Sequence, residues 1–223
     1  MIRRAHDISL PLHEGMWRYR KGWENRFETL SRTRDGDTST VYRFNLCSHS
    51  GTYLETSQHK LANDITLDDF QLSAFVRPCK VAVLNATANT PIELAELHAA
   101  LGRLAGPVEK GDALLLATGW GSNRREPDYV SRCPSFAVGV VEQLCEFGLD
   151  LLGTDLPIID NQVHPFNAVA KLFEVNPNML LLAPLAIDVD AIRPGSYLLS
   201  AAPLKIEAVC ASPCRPVLIE SDA

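Results

Sequence analysis

From residue 79 onward, five short apolar runs alternate with segments whose apolar residues recur at helical spacing. The runs are "CKVAVLNAT" (79–87), "DALLLATGW" (112–120), "LDLLGTDL" (149–156), "NMLLLAPL" (178–185) and "RPVLIES" (215–221). Each is bounded by turn or charged residues and is short, so each predicts a buried strand. Three helices are predicted between them. "TPIELAELHAALGRL" (90–104) offers Thr90 as N-cap, Pro91 at the first helical position and Glu93 three residues after the cap. "PSFAVGVVEQLCEFGLD" (134–150) offers Ser135 as cap and Gly148 as stop, and "PFNAVAKLFEVN" (165–176) is the third. The first forty residues carry few helix signals, whereas "DTSTVYRFNLCSHS" (37–50) alternates like a half-exposed strand. A β-rich start followed by β–α alternation implies one α/β domain over residues 1–223, a mixed sheet packed against helices.

Composition narrows the partners. Apolar residues make up 46% of the chain and charged residues 22%, so a folded core is expected. A formal charge of −6 without clustered Lys and Arg argues against a nucleic-acid surface. No run nears the roughly 18 apolar residues of a membrane span, and the N-terminus lacks the apolar core of a secretory signal. A cytoplasmic protein with a small-molecule partner is therefore expected. Most of the six cysteines are expected to be reduced, buried thiols. Cys210 and Cys214 have C-x3-C spacing, but no second ligand pair accompanies them. "GTDL" and "GWGSN" lack the Lys-Ser/Thr of a phosphate loop, so no nucleotide cofactor is expected.

The chemistry concentrates in "CSHSGTYLETSQH" (47–59). In an extended chain His49, Tyr53, Glu55 and His59 share one parity and face one way. In a helix 49/53 and 55/59 are neighbouring pairs. Gly51 before Thr52 suggests a tight bend. The same residues also suit a polar loop that caps a helix beginning near Asp64 or Thr66. Trp17, Trp23 and Trp120 are candidates to wall a pocket, with Trp17 and Trp120 taken as substrate-binding residues.

This stretch resembles the signature of the cyclase family of metal-dependent hydrolases, which includes bacterial kynurenine formamidases and isatin hydrolase. The family pattern H-x-G-T-H-x-D-x-P-x-H reads here His49-Ser50-Gly51-Thr52-Tyr53-Leu54-Glu55-Thr56-Ser57-Gln58-His59. "HDISLPLHEGMW", "KGDALLLATGW" and "FGLDLLGTDLPIID" resemble further family segments in the same order. The resemblance implies a swivelling β/β/α fold assembled as a homodimer or homotetramer. It also implies one divalent metal, zinc or manganese, on His49 and Glu55 with His164 as a substitute ligand, and His59 as acid/base. Tyr53 stands where the family has a second ligand His and is taken as a catalytic residue donating a hydrogen bond to substrate or water, and Glu55 stands where the family has Asp. A later family His falls at Asn167 or Val169, and a family Glu at Leu182 or Ala183. Three readings stay open: a metal-dependent hydrolase of an amide, lactam or lactone; a metal-free cyclase or isomerase using His59, Tyr53 and Glu55; and a non-catalytic binding relative.

Overall fold

In the computed structural model, which describes residues 2–221, all five apolar runs become strands of one nine-stranded sheet. The strands are β1 (Ile2–Asp7), β2 (Arg26–Ser31), β3 (Val41–Asn45), β4 (Tyr53–Glu55), β5 (Val76–Val83), β6 (Pro91–Ile92) and β7 (Ala113–Ala117). They continue with β8 (Ser135–Phe136), β9 (Leu151–Thr154), β10 (Leu180–Ala183), β11 (Gly195–Ser200), β12 (Ala211–Pro213) and β13 (Val217–Ser221). The helices are α1 (Leu72–Phe75), α2 (Leu94–Leu101), α3 (Val138–Phe147) and α4 (Ala168–Val175). The large sheet runs β1-β13-β11-β5-β7-β9-β10-β4-β12. Its centre, β5-β7-β9-β10, is parallel, and the outer strands pair antiparallel.

Strands β7 and β10 read as unbroken apolar runs, and β9 nearly so, because both of their faces are covered. Ala82, Leu114, Leu116, Leu152 and Leu181 face helices α2 to α4, against Leu97, Val140, Val141, Leu144, Leu172 and Phe173. Val81, Ala113, Leu115, Leu151, Leu180 and Leu182 face the other way, onto Ile8, Leu54, Leu199 and Leu218. The second face is thus closed by the outer strands curling over the centre.

Two helices begin later than their sequence signals suggest. Thr90–Pro91 and Ser135 are not caps; Pro91–Ile92 pairs in parallel with Ser135–Phe136. Phe136 N–H donates to Ile159 O (2.9 Å) and Ala137 N–H to Ile92 O (3.0 Å). These bonds require extended backbone, so tertiary pairing overrides the local helix start. The predicted stop at Gly148 is found as such, with the glycine in the left-handed region (φ 60°). The alternating run before the site also differs from expectation. All five residues of β3 are exposed, because it pairs with β2 in a separate hairpin and has no core beneath it.

Candidate active site

The segment 47–59 reaches the sheet through a bend that only glycine fits well. Gly51 has φ 64°, and a Cβ there would lie 2.7 Å from Leu12 Cδ2 and 3.4 Å from Leu10 O. Thr52 then locks the bend. Its hydroxyl accepts from Leu10 N–H (2.9 Å) and donates to Pro184 O (2.5 Å). Strand β4 follows, held between β10 and β12 with Leu181 and Ala211 opposite Glu55. Alternation along β4 sends Leu54 into the core and leaves Tyr53 and Glu55 on the other face. A 3₁₀ turn, Ser57–His59, returns His59 towards the same side. The shared parity predicted for 49, 53, 55 and 59 therefore holds along β4 alone; the flanking bend and the 3₁₀ turn bring the two histidines.

Glu55 approaches both imidazoles through one oxygen. Its Oε2 is 3.1 Å from His49 Nε2 and 3.8 Å from His59 Nε2, and the two rings are 4.2 Å apart at their centroids. His49 Nδ1 shares a hydrogen bond with Ser48 Oγ (2.9 Å), which leaves Nε2 as its free atom. Both His49 Nε2 and Glu55 Oε2 are buried without a hydrogen-bond partner, so their 3.1 Å approach lies off the hydrogen-bonding direction. Two orphaned polar atoms in a buried site carry a desolvation cost that a cation beside them would offset. Cys210, just before β12, joins this group: ligand atoms of His49, His59 and Cys210 all lie within 4.8 Å of one another. The donor set therefore fits a single divalent cation.

Burial keeps the neighbouring groups neutral. It lowers the pKa of His59, against a smaller upward pull from Glu55. It raises that of Cys210, with Glu55 adding to the rise. Tyr53, at 6% exposure, is pushed well above the ordinary phenol range, by burial first and then by Tyr19 and Glu55. Tyr19 OH donates to Pro157 O (2.8 Å) and lies 3.0 Å from Tyr53 OH. The Tyr53 proton is thus directed to Tyr19. A neutral phenol donating away from the histidines is not a metal ligand, so Tyr53 lends the cluster only its ring, 4.8 Å from that of His49.

A pocket of about 320 Å³ opens over these groups. Tyr19, Arg20 and Trp23 form its rim, the Arg20 guanidinium lying 5.4 Å over Trp23. Leu156–Ile159, Val169 and Ala170 also line the pocket, and Ala183 lies beside Tyr53, its partner across the β10–β4 pair. Asp160 also lines it, but its two oxygens accept from Phe166 N–H (3.0 Å) and Asn167 N–H (2.8 Å). That leaves Glu55 as the pocket carboxylate with an unpartnered oxygen among the described residues.

Three sequence candidates are placed elsewhere. His164 is exposed in a surface turn, its N–H bound to Asn161 Oδ1 (2.9 Å), and is not in the pocket wall. Trp17 stands behind the pocket, edge-on to Tyr19 (4.9 Å) and Tyr129 (5.5 Å). Trp120 packs on the helix-side core and donates Nε1–H to Tyr129 O (3.0 Å). Both support the wall without lining it; of the three tryptophans, Trp23 lines the pocket. The sequence reading weighs Cys210 only together with Cys214 and sets it aside for want of a second ligand pair; its partners His49 and His59 come from a distant segment that β4–β12 pairing brings alongside.

The fold and this cluster define a cyclase-type protein. The chain belongs to the Cyclase family, whose model, described as "Putative cyclase", matches residues 6–161. It is similar to a kynurenine formamidase of Erythrobacter litoralis (strain HTCC2594), 28% identical over 98% of this chain and 94% of the relative. Among solved structures it resembles isatin hydrolase A from Ralstonia solanacearum, with TM-score 0.79 and 19% identity over 98% of this chain and 92% of that one. A predicted metal-dependent hydrolase from Bacillus stearothermophilus aligns with TM-score 0.77 and 20% identity, over 98% of each chain. At those identities the structural likeness concerns the fold. Among the described residues, no helix is long and apolar enough to cross a membrane.

Proposed function

We propose that the chain is a hydrolase that cleaves the C–N bond of a small amide, with one divalent cation held by His49 and His59. The observation that carries this reading is the orphaned pair, His49 Nε2 and Glu55 Oε2, 3.1 Å apart at the base of the pocket. The names of the relatives, a kynurenine formamidase and an isatin hydrolase, support the amide as the substrate class. A cation in this position supplies Lewis acidity towards a carbonyl oxygen and acidifies water.

The chain's own residues do the rest. Glu55 is the group placed to take the proton from the attacking water and return it to the nitrogen as the C–N bond breaks. This exchanges the roles that sequence alone suggests, where Glu55 binds the cation and His59 moves the proton. The exchange rests on His59 lying within 4.8 Å of two other donors while Glu55 Oε2 faces both rings. Tyr53 and Tyr19 exclude water from one side and hold the His49 ring edge-on. Arg20 and Lys60 at the mouth favour a substrate with an anionic group away from the amide.

The test is hydrolysis of a panel of aryl formamides and lactams, with elemental analysis, before and after chelation. Bound zinc or manganese, and activity lost on chelation and restored by the ion, is the expected result. Turnover that survives complete metal removal would instead favour a carboxylate–imidazole pair acting alone, which the 3.8 Å Glu55–His59 approach also allows.

A further inference from the structure

We propose that Cys210 supplies a thiolate as the third donor beside His49 and His59, which makes the cation held here zinc and not manganese. This rests on the reading above that a cation is held at all. Three observations carry it. The sulfur lies with both imidazoles inside one 4.8 Å group, so one ion can reach all three after small side-chain movements. The free atom of His49, Nε2, is unpartnered and the residue is only 9% exposed, so it is aimed at something the side chains around it do not provide. Backbone pairing fixes Cys210 there: Thr56 N–H donates to Cys210 O (2.8 Å), and Ala211 sits opposite Glu55.

Charge and softness then select the ion. A dication beside one thiolate and the Glu55 carboxylate sums to zero, which suits a buried site. Two imidazoles and one sulfur leave a fourth tetrahedral position open, as catalytic zinc sites do. A thiolate favours zinc, whereas manganese prefers oxygen donors. On binding, the S–H bond breaks as the metal–sulfur bond forms, and the proton passes to the buffer. Cys214, four residues on, packs with the core instead and serves as a control.

The experiment is cobalt(II) reconstitution of the full chain after chelation, read by absorption and by metal content. A sulfur-to-cobalt charge-transfer band in the near ultraviolet, kept in Cys214→Ser and lost in Cys210→Ser, is expected. Zinc retention in Cys210→Ser should weaken on the order of 100-fold, the upper range for losing even an outer-shell partner. The wild-type spectrum alone decides the matter if Cys210→Ser does not fold. Stoichiometric cobalt without that band overturns the thiolate but leaves the hydrolase reading standing. Failure to bind zinc, cobalt or manganese overturns both.

Discussion

The two walls of the pocket are built on opposite principles. The wall from His49 to His59 places its polar groups on a bend, one short strand and a 3₁₀ turn, all tied by backbone and Thr52 bonds. The other wall, Leu156–Ile159 with Val169 and Ala170, is mostly apolar, and the carboxylate that lines it, Asp160, is committed to backbone N–H groups. The contrast separates chemistry from shape. The family pattern's later His and Glu are expected at Asn167 or Val169 and at Leu182 or Ala183; Asn167 and Val169 line this second wall, and Ala183 lies beside Tyr53. The first wall must then supply its donors by itself, and Cys210 is the group that β4–β12 pairing adds to it.

Substitutions can break this division. The largest effect is expected from Glu55→Gln, which keeps size but removes the proton acceptor. kcat/KM should fall about 10³-fold, within the range for a positioned acid or base, with little change in thermal stability. A fall of less than tenfold would mean that the proton travels by another group.

The next concerns the base of the apolar wall, where Asp155 is fully buried and accepts from Thr118 N–H and its hydroxyl (2.7 Å). Burial raises its pKa from 3.8 to about 6, against the lowering effect of these bonds. A raised folded-state pKa stabilises the fold fully below the unfolded value and loses that contribution as pH rises through the folded one. Relative to Asp155→Asn, the wild type should therefore lose up to about 3 kcal/mol of unfolding free energy between pH ~4 and ~6. Denaturant melts of both chains across that window check it; parallel pH dependences would refute it.

Gly51→Ala tests the bend that delivers the polar wall. Positive φ costs an L-residue about 1 kcal/mol, and displacing Leu12 adds to it, so a loss of roughly 2 kcal/mol is expected by thermal melt. Activity should drop with it, since His49 and Glu55 flank the bend. The smallest effect belongs to the shape wall. Val169→Ala should raise KM by on the order of tenfold and leave kcat nearly unchanged, because the loss of a methyl group from an apolar pocket is worth at least about 1 kcal/mol of discrimination. A kcat effect as large as that of Glu55→Gln would erase the distinction between the walls.

The sequence itself determined the layered α/β plan. Strands buried on both faces must be short and apolar, and 113–117 and 180–183 are, with 151–154 departing only at its last residue, Thr154. It also marked Gly148 as a helix stop and 47–59 as the chemical segment, through local backbone demands and side-chain types that do not depend on distant partners. Tertiary structure decided the rest. The helix starts at Leu94 and Val138 follow from a two-residue strand pairing with no local signal, and the exposed alternation of β3 from the absence of a core beneath it. His164 and Cys210 make the point most directly. His164 follows the family segment in sequence yet faces solvent, while Cys210 lies far along the chain and meets both histidines. Which donors converge is set by strand register across the sheet, a long-range property that residue spacing does not carry.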